Sequence, residues 1–130
     1  MCKIKRNNPG NIRTAYTRWF GEITEKGEVF CRFRDLSYGC RAMLKLLKRY
    51  INVKRWNTIR KVINRWAPPT ETGNNTMVYI EYVSRKMDTH PDDTLQADKE
   101  TLIGLASAMT FVEHGIEIPR HVWEKAYKLL

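Results

Sequence analysis

A mainly α fold with one small β-hairpin is what this sequence predicts, and three observations carry that expectation. Apolar residues recur at helical spacing through most of the chain after Tyr38. Capping or breaking residues bound these runs, and strict apolar–polar alternation occurs in a single stretch. At 130 residues the chain is long enough to bury a real core, and a single domain over residues 1–130 is expected.

The elements follow in order. "TRWFGEITEKGEVFCRFRDL" alternates at Val29, Cys31 and Phe33, has Trp19 and Phe20 upstream, and carries Lys26-Gly27 between, the pattern of a hairpin. From Tyr38 to Ile51, Met43, Leu44, Leu47, Tyr50 and Ile51 share one helical face, with Lys45, Lys48 and Arg49 mostly opposite. Thr58 reads as the N-cap of a short helix that turns Ile59, Val62, Ile63 and Trp66 inward. Pro68-Pro69 stops it, because neither ring nitrogen can donate a hydrogen bond. "PTETGNNT" is a loop, and Asn74 or Asn75 caps a helix whose apolar side holds Val78, Tyr79, Tyr82 and Val83. The stretch from about Lys99 to His114 is apolar nearly all round, as a central helix would be, and Gly115 suits its end. Pro119 fits the first turn of a last helix with Val122, Trp123 and Tyr127.

Composition narrows the function classes. The chain is 42% hydrophobic and 28% charged, which is ordinary for a globular domain and unlike a disordered one. Its apolar runs are too short to span a membrane. "MCKIKRNN" has no apolar run behind its charges, so no secretory leader is expected. Cys2, Cys31 and Cys40 are an odd number without metal-ligand spacing, and read as free thiols. His90, His114 and His121 are not spaced as a ligand set, so neither a metal nor another cofactor is expected. The net charge of +9 favours an anionic partner: nucleic acid, a membrane surface or an acidic cell-wall polymer.

Two features point to chemistry. "RNNPGNIR", Arg6 to Arg13, is a stiff turn dense in amides, although only five residues precede it. Glu113 stands at the C-terminal end of the central helix, where the unpaired carbonyls disfavour a negative charge by roughly 0.3–1 kcal/mol. Its neighbours Met109, Phe111 and Val112 solvate it poorly. Both effects favour the protonated form, which is what a general acid requires. A solvated Glu on a frayed helix end is the alternative. Glu71, in the "APPTETG" loop, is the main rival carboxylate, and Glu22 near the hairpin is a third.

"NNPGNIR", "YGCRAM", "RWAPPTE", "T-x-x-YI-x-x-V" and a late "VEHG" occur in order between Arg6 and about Gly115. This series resembles phage virion-associated and endolysin-like proteins of the lysozyme-like superfamily, related to lytic transglycosylases. The resemblance implies cleavage of peptidoglycan glycan strands between N-acetylmuramic acid and N-acetylglucosamine. In the related enzymes the helix ending in the catalytic Glu comes before the polar loop. Here it comes last, which implies a circular permutation with the opening turn folded back beside Glu113. Glu113 would then be the acid, and Tyr79 would match the tyrosine of the late "YV" pattern and lie beside it. Asn8 and Asn11 would offer their amides to N-acetyl groups, with turn formation as the alternative for both. His114 would touch substrate or the helix-end carbonyls. Glu71 would either activate water, making a hydrolase, or brace its loop.

The loop "PPTETGNNT" is longer than the compact form in relatives, and the opening has two asparagines where relatives often have three. The implied setting is a bacterial host's cytoplasm before release to the periplasm and wall, or association with a virion. Two other classes fit the composition. One is a basic helical nucleic-acid module, against which stands the lack of a recognition-helix, RNP or zinc signature. The other is an inactive lysozyme-like structural protein.

Overall fold

The computed structural model describes residues 3–71 and 73–130. A 3-10 turn at Lys5–Asn7 precedes an extended region and five helices: α1 (Leu36–Asn52), α2 (Ile59–Trp66), α3 (Thr76–Met87), α4 (Lys99–His114) and α5 (Arg120–Lys128). The helix ends are held by side chains suited to them. Thr58 Oγ1 accepts from the Lys61 amide at 3.1 Å, and Asn75 Oδ1 from the Val78 amide at 3.3 Å. Asp98 Oδ1 accepts from the Thr101 amide at 2.9 Å. Gly115 closes α4 at φ +68, a left-handed conformation that glycine adopts without a steric penalty. Pro119 sits at the N-cap of α5, one residue before the first helical turn.

The helices enclose one core. Met43, Leu44 and Leu47 of α1 meet Ile59, Val62 and Ile63 of α2, Ile80 and Val83 of α3, Leu102, Leu105 and Met109 of α4, and Trp123 of α5. Each such side chain contributes roughly 1.5–3 kcal/mol through removal from water. α4 lies against both α1 and α3, and α1 also packs on α5 and on the opening 3-10 turn. That last approach depends on Gly39: a Cβ there would stand 1.7 Å from the Asn7 carbonyl oxygen. α4 is buried along most of its length, but its last turn emerges, with Phe111 and Val112 each 38% exposed. Val78 of α3, expected on the apolar side, faces outward at 57%.

The expected hairpin does not form as paired strands. Among the described residues there are two isolated antiparallel bridges, Arg13 with Phe30 and Glu22 with Phe33. The physical reason is that the segment around 29–34 has two partners in succession. Its first half bonds to residues 12–14 through Cys31 N–H to Ile12 O (2.9 Å) and Thr14 N–H to Val29 O (2.9 Å). Its second half bonds to residues 21–23 through Ile23 N–H to Arg32 O (2.7 Å) and Arg34 N–H to Gly21 O (2.9 Å). Between them, the Arg32 amide turns to the Thr24 hydroxyl. Neither ladder therefore grows beyond one bridge. A small second cluster of Ile12, Cys31, Phe33 and Ala42 anchors this region on α1.

Candidate active site

The last turn of α4 presents Glu113 to a groove of about 490 Å³ whose walls are Gly73, Asn74 and Asn75 of the loop, Val78, Tyr79 and Tyr82 of α3, and Phe111 and Val112 of α4. Tyr82 and Phe111 stack with ring centroids 5.7 Å apart. Glu113 is half-buried, and both its oxygens face donors. Asn11 Nδ2 donates to Oε1 at 3.1 Å, across 102 residues of sequence. The Tyr79 hydroxyl lies 3.1 Å from Oε2 and 3.4 Å from the Met109 carbonyl. The carboxyl thus has polar company that its neighbours in sequence, Met109, Phe111 and Val112, do not supply.

Burial pushes the Tyr79 hydroxyl well above the usual phenol range, and the charge and hydrogen bond of Glu113 add to the effect. The phenol therefore keeps its proton at all working pH values and serves as a donor. It can donate a hydrogen bond to an ionised Glu113. When Glu113 is itself protonated, the hydroxyl can turn to the Met109 carbonyl and accept from the acid. Both protonation states of the carboxyl find a partner.

The opening turn is locked in place from several directions. Arg6, Asn7 and Asn11 all have positive φ (59, 53 and 49), a region asparagine tolerates better than most residues. Asn8 is 1% exposed, and its amide is spent on the backbone. Nδ2 donates to Ile12 O (3.0 Å) and Cys31 O (2.9 Å), while Oδ1 accepts from the Ile12 amide (3.0 Å). The structure thus gives Asn8 the turn-forming role: both amide N–H groups are spent, and the side chain is buried away from any ligand. Trp66 Nε1 donates to Gly10 O at 3.2 Å, and His114 Nε2 lies 3.0 Å from Pro9 O. His114 thereby ties the end of α4 to the turn. Trp66, expected simply as an inward-facing residue, is a clamp on the site; its indole N–H, two residues before Pro68-Pro69, is the signal the sequence offers.

Glu71 is exposed and lies in the adjoining groove, which Asn11, Arg13, Trp19, Tyr50, Arg65 and Trp66 also line. It accepts from Asn74 Nδ2 at 3.4 Å, and its backbone bridges Pro68 and Asn74, so it braces its loop. Glu22 accepts from the Trp19 amide (2.9 Å) and the Thr24 hydroxyl (2.6 Å), a structural arrangement within its own segment. Among the described residues, Glu113, Tyr79 and Asn11 are brought into direct contact, His114 adjoins them, and Glu71 and Asn8 stand apart.

The thiols of Cys31 and Cys40 are buried, and burial pushes the Cys31 thiol up to about 12; Cys2 lies outside the described residues. Among the described residues no group of three or more His, Cys, Asp or Glu could hold a metal ion. No helix among them is long and apolar enough to cross a membrane.

No protein-family model matches the chain. Over 116 residues, covering 86% of this chain and 70% of the relative, it is 31% identical to Protein P5 of Pseudoalteromonas phage PM2. An α4 carboxylate held by an amide from the far end of the chain is thus a feature of a phage protein's relative: the chain belongs to the family of that Protein P5.

Proposed function

We propose that this protein cleaves the glycan strands of peptidoglycan between N-acetylmuramic acid and N-acetylglucosamine, on a lysozyme-like, circularly permuted scaffold. The observation that carries the reading is the pairing of Glu113 with Asn11 and Tyr79 at the mouth of a groove. It supports the permutation because the amide comes from the opening turn and the acid from the far end of the chain. A phage relative is in keeping with a lytic or virion-associated role.

Among the described residues, Glu113 is the sole carboxylate lining its groove, Glu71 lying in the adjoining one and hydrogen-bonded within its loop, and this favours a one-carboxylate mechanism. Protonated Glu113 gives its proton to the glycosidic oxygen as the bond from that oxygen to the muramoyl C1 breaks. The resulting carboxylate is held by Asn11 and Tyr79. It then takes the proton of the muramoyl 6-hydroxyl as that oxygen bonds to C1, forming an anhydro sugar. The carboxyl ends as it began, and no water is consumed. A hydrolase would instead need a second carboxylate or a carboxylate-held water opposite the sugar.

The test is clearing of purified peptidoglycan by the wild type and by Glu113→Gln, followed by mass analysis of the released sugars. Clearing that depends on Glu113, with anhydro products, is the expected result. Clearing that survives Glu113→Gln overturns the assignment, and products carrying added water convert the reaction to hydrolysis.

A further inference from the structure

The net charge of this protein is confined to one part of the chain. Residues 36–70 contain nine Lys or Arg and no Asp or Glu, which equals the +9 of the whole chain; elsewhere fourteen cations balance fourteen carboxylates. In the fold this segment is α1, α2 and the turn between them. Of the nine, Arg60 pairs with Asp92, and Arg41 bonds the Leu129 carbonyl and covers the Phe20 ring. The remainder, including Lys45, Lys48 and Arg49, are exposed and form no salt bridge among the described residues. A fold selected for stability alone would intersperse signs there, because like charges one helical turn apart repel.

This cationic face adjoins the candidate site. Asn11 touches Glu113 and also lines the adjoining groove, which runs over Tyr50 and Trp66 to Trp19. Trp19 in turn borders a shallow depression walled by Lys45, Lys48, Arg49 and Asn52. Successive lining residues thus connect the acid, an aromatic middle stretch and a cationic end. The exposed large apolar residue on the cationic end is Val53, too little to insert into a lipid surface.

We infer that Lys45, Lys48 and Arg49 form the distal arm of the substrate channel and bind the carboxylates of the stem peptides on an uncut glycan strand. The inference rests on the peptidoglycan reading above. A glycan strand carries a peptide stem on every second sugar, so it is a neutral polymer with regularly spaced anions. Aromatic faces suit its rings, and a row of cations farther along suits its stems. The chain would then prefer peptide-bearing strands to bare glycan.

Binding tests this separately from cleavage. The full chain is sedimented with purified intact sacculi, and with sacculi whose stem carboxylates are converted to neutral methylamides by carbodiimide and methylamine, at low and high salt. The wild type is expected to bind intact sacculi about tenfold more tightly than amidated ones, with the ratio shrinking as salt rises. Lys45→Gln/Lys48→Gln/Arg49→Gln should lose that ratio, whereas the charge-keeping Lys45→Arg/Lys48→Arg/Arg49→Lys should retain it. Thermal melts of both variants establish that they fold.

A ratio near one in the wild type, or an unchanged ratio in the folded triple Gln variant, overturns the inference. So does a triple Gln variant that loses retention of duplex DNA in a gel shift while keeping its preference for intact sacculi, which would make the arm a nucleic-acid surface. Failure of the wild type to clear peptidoglycan, with the binding ratio intact, would sink the cleavage reading and leave the binding arm standing.

Discussion

Two loops flank Glu113, and they are built in opposite ways. The opening turn, residues 6–12, bonds to partners drawn from all over the molecule: Phe33, Cys31, Trp66, His114 and Glu113 itself. The loop from Pro68 to Asn75 bonds mainly to itself. Asn74 reaches Pro68 and Glu71, Thr76 closes back on Ala67, and Gly73 at φ +90 has open space around it. One wall of the groove is fixed by tertiary structure, the other, among its described residues, mainly by its own turns. The difference teaches a division of labour: the fixed wall sets the position of the Glu113 carboxyl, and, on the proposed reading, the self-contained wall is free to vary in length and shape around a glycan strand.

The largest expected contrast is between two glycines. Gly39→Ala drives a methyl group to 1.7 Å from Asn7 O and must part α1 from the opening turn, at a cost of about 3 kcal/mol or more. Gly73→Ala meets no neighbour and bears only the left-handed backbone penalty, about 1–2 kcal/mol. Thermal melts of the two variants measure the gap, and equal losses would dissolve the comparison. Next come the asparagines. Asn8→Ala strands buried backbone groups and is expected to cost about 2–4 kcal/mol, against less than about 1 kcal/mol for Asn74→Ala.

Activity sharpens the same contrast. On the proposed mechanism, Asn11→Ala should leave the melting temperature within a few degrees and lower the clearing rate by about tenfold or more, because it removes a donor from the Glu113 carboxyl. Glu71→Gln should change that rate by less than about threefold. A loss as large as that of Glu113→Gln would make the loop a catalytic wall and end the one-carboxylate mechanism. The smallest effect concerns acid. Hydrogen bonds from Arg32 lead in holding the Glu28 carboxyl down to about 2 from its ordinary 4.5, and Arg6 of the opening turn lies 3.9 Å from it. Because the folded value is the lower one, this contribution is complete above about pH 4.5 and disappears as pH falls through about 2. Acid titration of stability in the wild type and in Glu28→Gln should differ within that window and run parallel above it.

Much of this architecture was legible in the sequence because its determinants are local. Thr58, Asn75 and Gly115 cap the helices they were expected to cap, since a cap is read by neighbours three or four residues away. The hairpin was not legible. Alternation around Val29–Phe33 specifies extended backbone but not its partner, and residues 12–14 competed with residues 21–23 for the same edge. The encounter of the opening turn with Glu113 came from the order of motifs rather than from any periodicity. Even so, nothing in "NNPGNIR" separates Asn8 from Asn11. Both suit a turn, and only tertiary packing sends one amide inward to Cys31 and the other across to the acid. The tie from His114 to Pro9 likewise joins positions 105 residues apart.

That separation has a consequence for how the protein comes into being. On the ribosome, residue 11 emerges long before residue 113 is added, so through most of translation the amide has no carboxyl to meet. The pairing appears only when the final helices dock. Loosening either extremity would disconnect it while leaving most of the apolar interior intact.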